Sequence, residues 1–422
     1  MRIAFITKEL TYEHLGIMYL SRILKDAGHI VKRFKISDDN IIEFKPDFVM
    51  YSVMTGDHKT FIDYNKQLKK RMNFISVFGG PHPTYFPDMI QEDGIDYIIR
   101  GEGEKTILKV LKKPKKKVIL GKLTENLDDV SYPDRELLYS EEKHKKNPIR
   151  HFIASRGCPF DCPYCYNHIW CKLYKNARRT RYRSPQNIID EIKDVISRYA
   201  TEFIYFQDDC FDSNKKWLYE FLDLYKKNFN LPFHCIIRLD LLDDETTRRL
   251  SDAGCRCVRC AAESGNDYLR NKILKRRMTK KQIYDGTRLL HKYNIKFVLQ
   301  NMLGLPESNL DRDLETLRLN IDCKPTLGWC SIFQPYPMTE LAKGYDIDVD
   351  KFKANFYDAS IIDLPHKNTI SRLQKLFALT VRYSFLYHIM PILIRLPLDN
   401  VYRRLWKYCN KLSDKELYGD VI

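Results

Sequence analysis

Short apolar runs alternate with amphipathic stretches from the first residues of the chain, and this alternation limits the fold more than any other feature. Residues 2–7 read as a buried strand. Residues 15–27 place Ile17, Leu20, Ile23, Leu24 and Ala27 on one helical stripe, which Gly28 ends. Residues 30–36 and 47–54 predict a second and third strand, and 61–72 a helix with Phe61, Tyr64, Leu68 and Met72 on one side. Residues 74–78 and 95–99 predict two more strands, the last followed by a helix near 105–111. Strands separated by helices pair in parallel, in a doubly wound, Rossmann-like α/β sheet whose ligands lie beyond the carboxyl ends of the strands. The loops there are residues 8–16, 52–56, 79–84 and 101–104, and each contains glycine. Glycine lets a backbone approach a bulky ligand closely; it is also the ordinary residue of turns. The run 112–117, five lysines and one proline, reads as a solvated loop, and 127–138 as a linker without a fold of its own.

The strongest chemical signal follows the apolar stretch 151–154. Arg156-Gly157-Cys158-Pro159-Phe160-Asp161-Cys162-Pro163-Tyr164-Cys165 spaces three cysteines as C-x3-C-x2-C. The chain has 12 cysteines and opens on a strand rather than a signal peptide, so thiols, metal or a cluster are expected in place of disulfides. Three thiolates would leave one iron of a 4Fe–4S cluster open to a small molecule. A zinc site would need a fourth ligand, for which Cys171 and His168 are near in sequence.

That segment, with Tyr164 before the third cysteine, resembles the signature of the radical S-adenosylmethionine (SAM) superfamily. Arg181-Tyr182-Arg183-Ser184 and the helix 186–199 resemble the first barrel helix of those enzymes. Residues 203–206 with Gln207-Asp208-Asp209-Cys210-Phe211 resemble the second strand and its loop. Residues 235–240, 258–265, 297–306 and 331–341 resemble strands three to six. The resemblance implies a partial (β/α)6 barrel with its reactive groups at the carboxyl ends of the strands. Ahead of it, Gly79-Gly80-Pro81-His82-Pro83-Thr84 and Arg100-Gly101-Glu102-Gly103-Glu104 resemble the cobalamin-binding domain of the cobalamin-dependent subfamily. The implied organisation is a cobalamin domain over 1–125, a linker over 126–150, the barrel over 151–345 and a mainly helical tail over 346–422. The D-x-H-x-x-G pattern of many cobalamin domains is missing: Glu13-His14-Leu15-Gly16 has the wrong spacing and Asp57-His58-Lys59 also fails. The resemblance is therefore to the subgroup without a protein histidine on cobalt, with His14 and His82 as the alternatives.

The resemblance implies three cofactors: a 4Fe–4S cluster, SAM and cobalamin. Cys158, Cys162 and Cys165 would hold the cluster. Tyr164, Asp208, Arg238, Glu263 and Ser264 would contact SAM, Asp208 through its methionine amine and Arg238 through its carboxylate. Ser52, Thr55, Gly79, Gly80, His82, Gly101, Glu102 and Gly103 would surround the cobalamin. The implied reaction is methylation of an unactivated carbon, through a 5′-deoxyadenosyl radical and methylcobalamin. Cyclisation, rearrangement or another non-methylating outcome stays open, because no residue separates them. An electron donor such as flavodoxin or ferredoxin is implied as partner. Cys255, Cys257 and Cys260 could ligate an auxiliary metal, but strand alternation would turn them to different faces, which favours buried thiols. Cys210 falls near the expected rim, and Met338 replaces the glycine of the family's Pro-x-Pro-Gly-Thr turn.

The net charge of +16 asks for an anionic partner. Between residues 372 and 411 the bases are Arg372, Lys375, Arg382, Arg395, Arg403, Arg404, Lys407 and Lys411 against Asp399 alone, a net of +7, interleaved with apolar and aromatic residues. This segment reads either as a helical cap on the barrel or as a surface lying in a bilayer interface. The expectation is a cytoplasmic enzyme, at most peripheral to the inner face of a membrane, acting on a small-molecule or lipid-linked substrate. Nucleic acid is disfavoured: residues 1–150 lack the cysteines of the tRNA methylthiotransferase family.

Overall fold

The computed structural model describes residues 1–174, 179–352 and 360–419. The first domain is a six-stranded parallel sheet of β1 (Arg2–Thr7), β2 (Ile30–Lys35), β3 (Phe48–Ser52), β4 (Ile75–Gly79), β5 (Tyr97–Arg100) and β6 (Val118–Leu120). Their order, β2-β1-β3-β4-β5-β6, reverses between β1 and β3. Such a reversal leaves a crevice at the carboxyl ends of those strands, where ligands of doubly wound sheets bind. Alternate residues enter separate cores. Ile3, Phe5 and Met50 pack with the helix Leu15–Asp26, whereas Ala4, Ile6 and Val49 pack with the helix His58–Lys69. Burial on both faces explains why these strands read as unbroken apolar runs. The sixth strand was not anticipated: only three residues long, it follows directly on the lysine run.

The second domain comprises β7 (Ile149–Phe152), an antiparallel pair β8 (Ser155–Arg156) and β9 (Arg181–Tyr182), then β10 (Phe203–Phe206), β11 (Phe233–Ile236), β12 (Cys255–Glu263), β13 (Lys296–Leu303) and β14 (Leu327–Ile332). Six of these form a parallel sheet in the order β7-β10-β11-β12-β13-β14. Because sheet order follows chain order, each crossover turns the same way and the helices gather on one face. The outward residues Phe206, Cys235, Val258 and Leu299 share a core with Ile188, Phe221, Leu250 and Ile283 of those helices. Ser184, Asn214, Asp243, Thr279 and Asn309 cap the successive helices by accepting a backbone N–H, and Thr279 with Gln282 completes a capping box.

The tail is helical over Lys367–Arg382 and Asp399–Tyr418. The first helix covers the edge strand β14, with Leu373 and Phe377 against Cys330 and Ile332. The end of the second plugs the amino-terminal end of the barrel, where Leu417 and Tyr418 meet Phe203, Cys257, Val298 and Leu327. Among the described residues no helix is long and apolar enough to cross a membrane.

Residues 126–150 are not the foldless linker the sequence suggests. They form the helices Glu136–Tyr139 and Glu142–Lys146, and Leu137, Leu138 and Tyr139 lie in a core that includes both sheets. Arg135, fully buried, joins Glu13 of the first domain to Glu191 of the barrel helix Pro185–Arg198 (2.8 Å to Glu191). Tyr139 also donates to Glu13, and Arg183 pairs with Glu191. Removing the guanidinium takes a cationic partner from each of two buried carboxylates, leaving Glu13 with Tyr139 and Glu191 with Arg183. Arg135→Ala is expected to cost about 3–5 kcal/mol, read by chemical denaturation, whereas Arg71→Ala at the exposed Asp39 pair costs under about 1 kcal/mol.

Candidate active site

The carboxyl ends of the two sheets face a common cavity of about 500 Å³. The first domain contributes Ser52, Gly79, Gly80, Gly101, Glu102 and Gly103, with Tyr19 and Leu20 of the first helix. The barrel contributes Ile153, Arg156, Gly157, Asn167, Trp170, Arg181 and Gln207. Two glycines are required by the backbone. Gly80 has φ +92° and faces the Val53 backbone, and Gly157 has φ +88° with the Arg179 carbonyl where a Cβ would stand.

Glu102 fastens this cavity. Its carboxylate accepts from Arg181 (2.6 and 3.1 Å) and from the Thr124 amide (2.9 Å), and Arg156 lies 3.2 Å away. Burial alone would raise this carboxyl; the Arg181 hydrogen bonds and the Arg156 charge outweigh it and hold Glu102 below the usual range. Arg156 also pairs with Glu104 at 2.7 Å, so the residue two before Cys158 is bound to the first domain. Glu102 thus lines the cavity with its carboxylate spent on the join between domains.

Thr55 and His82 lie apart from the cavity lining. They bond to each other (3.1 Å), and His82 stacks between His58 (4.1 Å) and Phe86 (4.9 Å). This corrects the expectation that both residues face the cobalamin: the loop after β4 turns His82 toward the helix His58–Lys69. Burial, then the charge of His58, lowers His82 to about 3. His14 sits just before the first helix, its Nδ1 buried without a partner.

The cysteine loop lies between β8 and the helix Tyr166–Leu173, which carries His168 and Cys171. A hydrogen bond with Cys210 is the largest influence on Cys158 and brings its thiol down to about 7. Burial pushes Cys165 up to about 12. Among the described residues no three His, Cys, Asp or Glu side chains stand together as a metal cage. Tyr164 donates to Glu263 (2.9 Å), which ends β12 with φ +66°, a strained conformation for a non-glycine residue. Arg276, unnoticed in the sequence, stands beside this pair: it reaches the Tyr164 hydroxyl (3.4 Å) and the Ala261 carbonyl (2.6 Å), and bonds Cys162.

Three further expectations change. Asp208 is fully buried and accepts from the amides of Ala154 (3.1 Å) and Ser155 (2.5 Å) and from the Ser155 hydroxyl (2.6 Å). It fixes the entry to the cysteine loop and has no surface for a ligand. Its neighbour Asp209 turns the other way, toward the Asn167 side chain and the Gly157 amide. Ser264 is likewise fully buried, bonded to Asn266 N (3.2 Å) and near Thr316. Arg238 is held by both oxygens of Asp240 (2.9 and 3.0 Å) and lies over the Phe160 ring at 3.7 Å, so it braces the cysteine loop. Cys255 and Cys260 enter the outer core and Cys257 the inner one. Met338 takes φ +69° and is exposed, keeping the backbone form that glycine adopts freely.

Residues 152–319 match the radical SAM superfamily and residues 1–111 the B12 binding domain. The chain carries a radical SAM domain and, ahead of it, a B12-binding domain. An uncharacterized methyltransferase of Pyrococcus horikoshii is 25% identical over 362 residues, covering 78% of this chain and 77% of the relative. The anaerobic magnesium-protoporphyrin IX monomethyl ester cyclase of Rubrivivax gelatinosus is 25% identical over 386 residues, 81% of this chain and 68% of the relative. Among solved structures, the radical SAM methyltransferase TsrM of Kitasatospora setae, with cobalamin and a 4Fe–4S cluster bound, superposes with a TM-score of 0.66. It covers 81% of this chain and 73% of that one at 14% identity, a likeness of fold.

A 4Fe–4S cluster, SAM and cobalamin are the cofactors these two domains imply. The radical SAM residues fit the first by donor chemistry: three soft thiols on one loop, with Cys158 already inclined to the thiolate. The glycine-lined crevice fits a large planar ligand at the switch point of the sheet. Sequence reasoning gave no role to Asn167, Trp170, Gln207 or Arg276, although Gln207 opens the loop after β10 and Asn167, like Arg156 on the other side, stands two residues from a cysteine of the motif.

His82 gives a direct pH test. Its folded pKa, about 3, lies below the unfolded 6.5, so acid favours the unfolded chain as pH falls through that window. Relative to wild type, His82→Gln should gain about 1.4 kcal/mol of stability per pH unit below 6.5, followed by urea denaturation at several pH values.

Proposed function

We propose that this radical SAM enzyme transfers a methyl group to an unactivated carbon of a hydrophobic or lipid-linked small molecule. The observation that carries the reading is the shared cavity. Cobalamin-domain glycines form one wall, and Gly157 and Asn167, beside the cysteine loop, form another. The methyltransferase relative from Pyrococcus horikoshii supports the choice of methylation. The cyclase relative supports the second reading, a non-methylating radical reaction on the same site.

When bound, the cluster with SAM supplies hydrogen abstraction and the cobalamin supplies the methyl group; an electron donor of the flavodoxin or ferredoxin class would serve them. The chain's own residues position and enclose these groups. Cys158, Cys162 and Cys165 hold the cluster, and Tyr164, fixed by Glu263 and Arg276, flanks the adenine. Asp209 takes the place first given to Asp208: an outward carboxylate beside Asn167 suits the SAM ammonium. Glu263 faces the ribose or amine. Ser52, Gly79, Gly80, Gly101 and Gly103 surround the corrin and its tail, while Trp170 and Leu20 exclude water.

Two outcomes are expected at the residues. Alanine at Cys158, Cys162 or Cys165 lowers reconstituted iron from about four per chain to below about one while cobalamin binding persists. Asp209→Ala keeps the iron and weakens SAM binding by about tenfold or more, measured by equilibrium dialysis. The reaction itself is read by incubating reconstituted enzyme, a reductant and methyl-deuterated SAM with a lipid extract, followed by mass spectrometry. Methylation predicts a product carrying the labelled methyl, with about two SAM consumed for each. Unlabelled product with 5′-deoxyadenosine formation would transfer the assignment to the non-methylating reading.

A further inference from the structure

The tail carries a surface that neither cofactor site uses. An exposed apolar stripe of Phe385, Ile389, Ile392 and Leu396 runs through the 3-10 helix Ser384–Ile389 and the single turn Met390–Leu393 to the residues just beyond. All are exposed, Phe385 by 67% and Ile392 by 62%. The opposite side of the same segment is also apolar: Met390 and Ile394 are fully buried against Leu373, Phe377 and Tyr402. A segment apolar on both faces, with one face already packed, has a second face to cover. The stripe continues through Leu398 and Val401 to Tyr408, all exposed.

Charge identifies what covers it. Arg395, Arg403, Arg404, Lys407 and Lys411 stand exposed beside the stripe. The single acid between residues 383 and 412 is Asp399, and its carboxylate is taken by Arg372 at 3.1 and 3.2 Å. An apolar ridge rimmed by cations, with Tyr383 and Tyr408 at its two ends, matches the layered chemistry of a bilayer surface: acyl chains below, headgroups at the tyrosines, anionic phosphates outside. A protein partner would have to present a long apolar groove edged with acids, a more special surface than an anionic membrane.

We propose that residues 383–408 dock this enzyme onto an anionic lipid bilayer, with Phe385 and Ile392 inserted and Arg404 and Lys407 on the headgroups. Docking would hold the barrel at the surface where hydrophobic substrates reside. The inference rests on the tail's surface chemistry and stands or falls independently of the reaction.

Flotation of the full-length reconstituted protein tests it. Vesicles are made from equal parts phosphatidylglycerol and phosphatidylcholine, or from phosphatidylcholine alone. The protein should float with the anionic vesicles and at least about tenfold less with the neutral ones. Arg404→Ala and Lys407→Ala should each weaken anionic binding about fivefold. Phe385→Glu with Ile392→Glu should abolish flotation while iron loading and thermal midpoint stay unchanged. Val401→Asp, on the neighbouring helix, should weaken it in case the double variant folds poorly. Wild-type protein remaining at the bottom of the gradient would overturn the proposal. So would equal flotation of the wild type and Val401→Asp. A dimer in sedimentation velocity that the double variant loses, with no vesicle binding by the wild type, would assign the ridge to self-association instead.

Discussion

Buried carboxylate–guanidinium pairs between the two sheets are the constraint on which this structure depends. Glu102, at the carboxyl end of β5, is held by Arg181 and Arg156 on either side of the cysteine loop. Glu13, beyond β1, is held by Arg135, which continues to Glu191 on the first barrel helix. Each pair pays desolvation on both partners, and each would be costly to leave half made. Such pairs confer geometry more than stability. They oppose the carboxyl ends of two sheets with different winding, so that both open on one cavity.

The same geometry explains why residues near the site divide into holders and contacts. Asp208, Ser264, Arg238 and Glu102 all sit where a ligand-binding residue is expected, and all are committed to internal partners. They fix the cysteine loop and the strand ends. Asn167 and the loop glycines are what remain on the wall of the space between the domains, with Asp209 exposed beside Asn167. Burial strengthens the hydrogen bonds of the holding residues and leaves no water to compete for them.

Much of this was legible in the sequence because the signals are local. Parallel strands covered on both faces appear as continuous apolar runs, and the three cysteines lie within eight positions on one loop. What was illegible depends on chain crossing itself at long range. Arg135 and Glu13 are 122 positions apart, and nothing in either neighbourhood marks a partner. The segment around Arg135 looked like a linker because its apolar residues Leu137 and Leu138 are too few to show a period. Asp208 and Asp209 are indistinguishable by type, and a single step beyond β10 reverses which one faces inward. Met338 shows the converse: a family glycine is replaced, yet the backbone keeps φ +69° and the side chain leaves into solvent.

In the proposed function one cavity between the two sheets serves both a cobalamin and a cluster-bound SAM. Anaerobic reconstitution with iron, sulfide and hydroxocobalamin, followed by metal analysis and a visible spectrum, tests it most directly. About four irons and about one cobalt per chain, retained together through gel filtration, are the expected result. Iron retained without cobalt would contradict it, leaving the first domain without its ligand and the cavity with the radical chemistry alone.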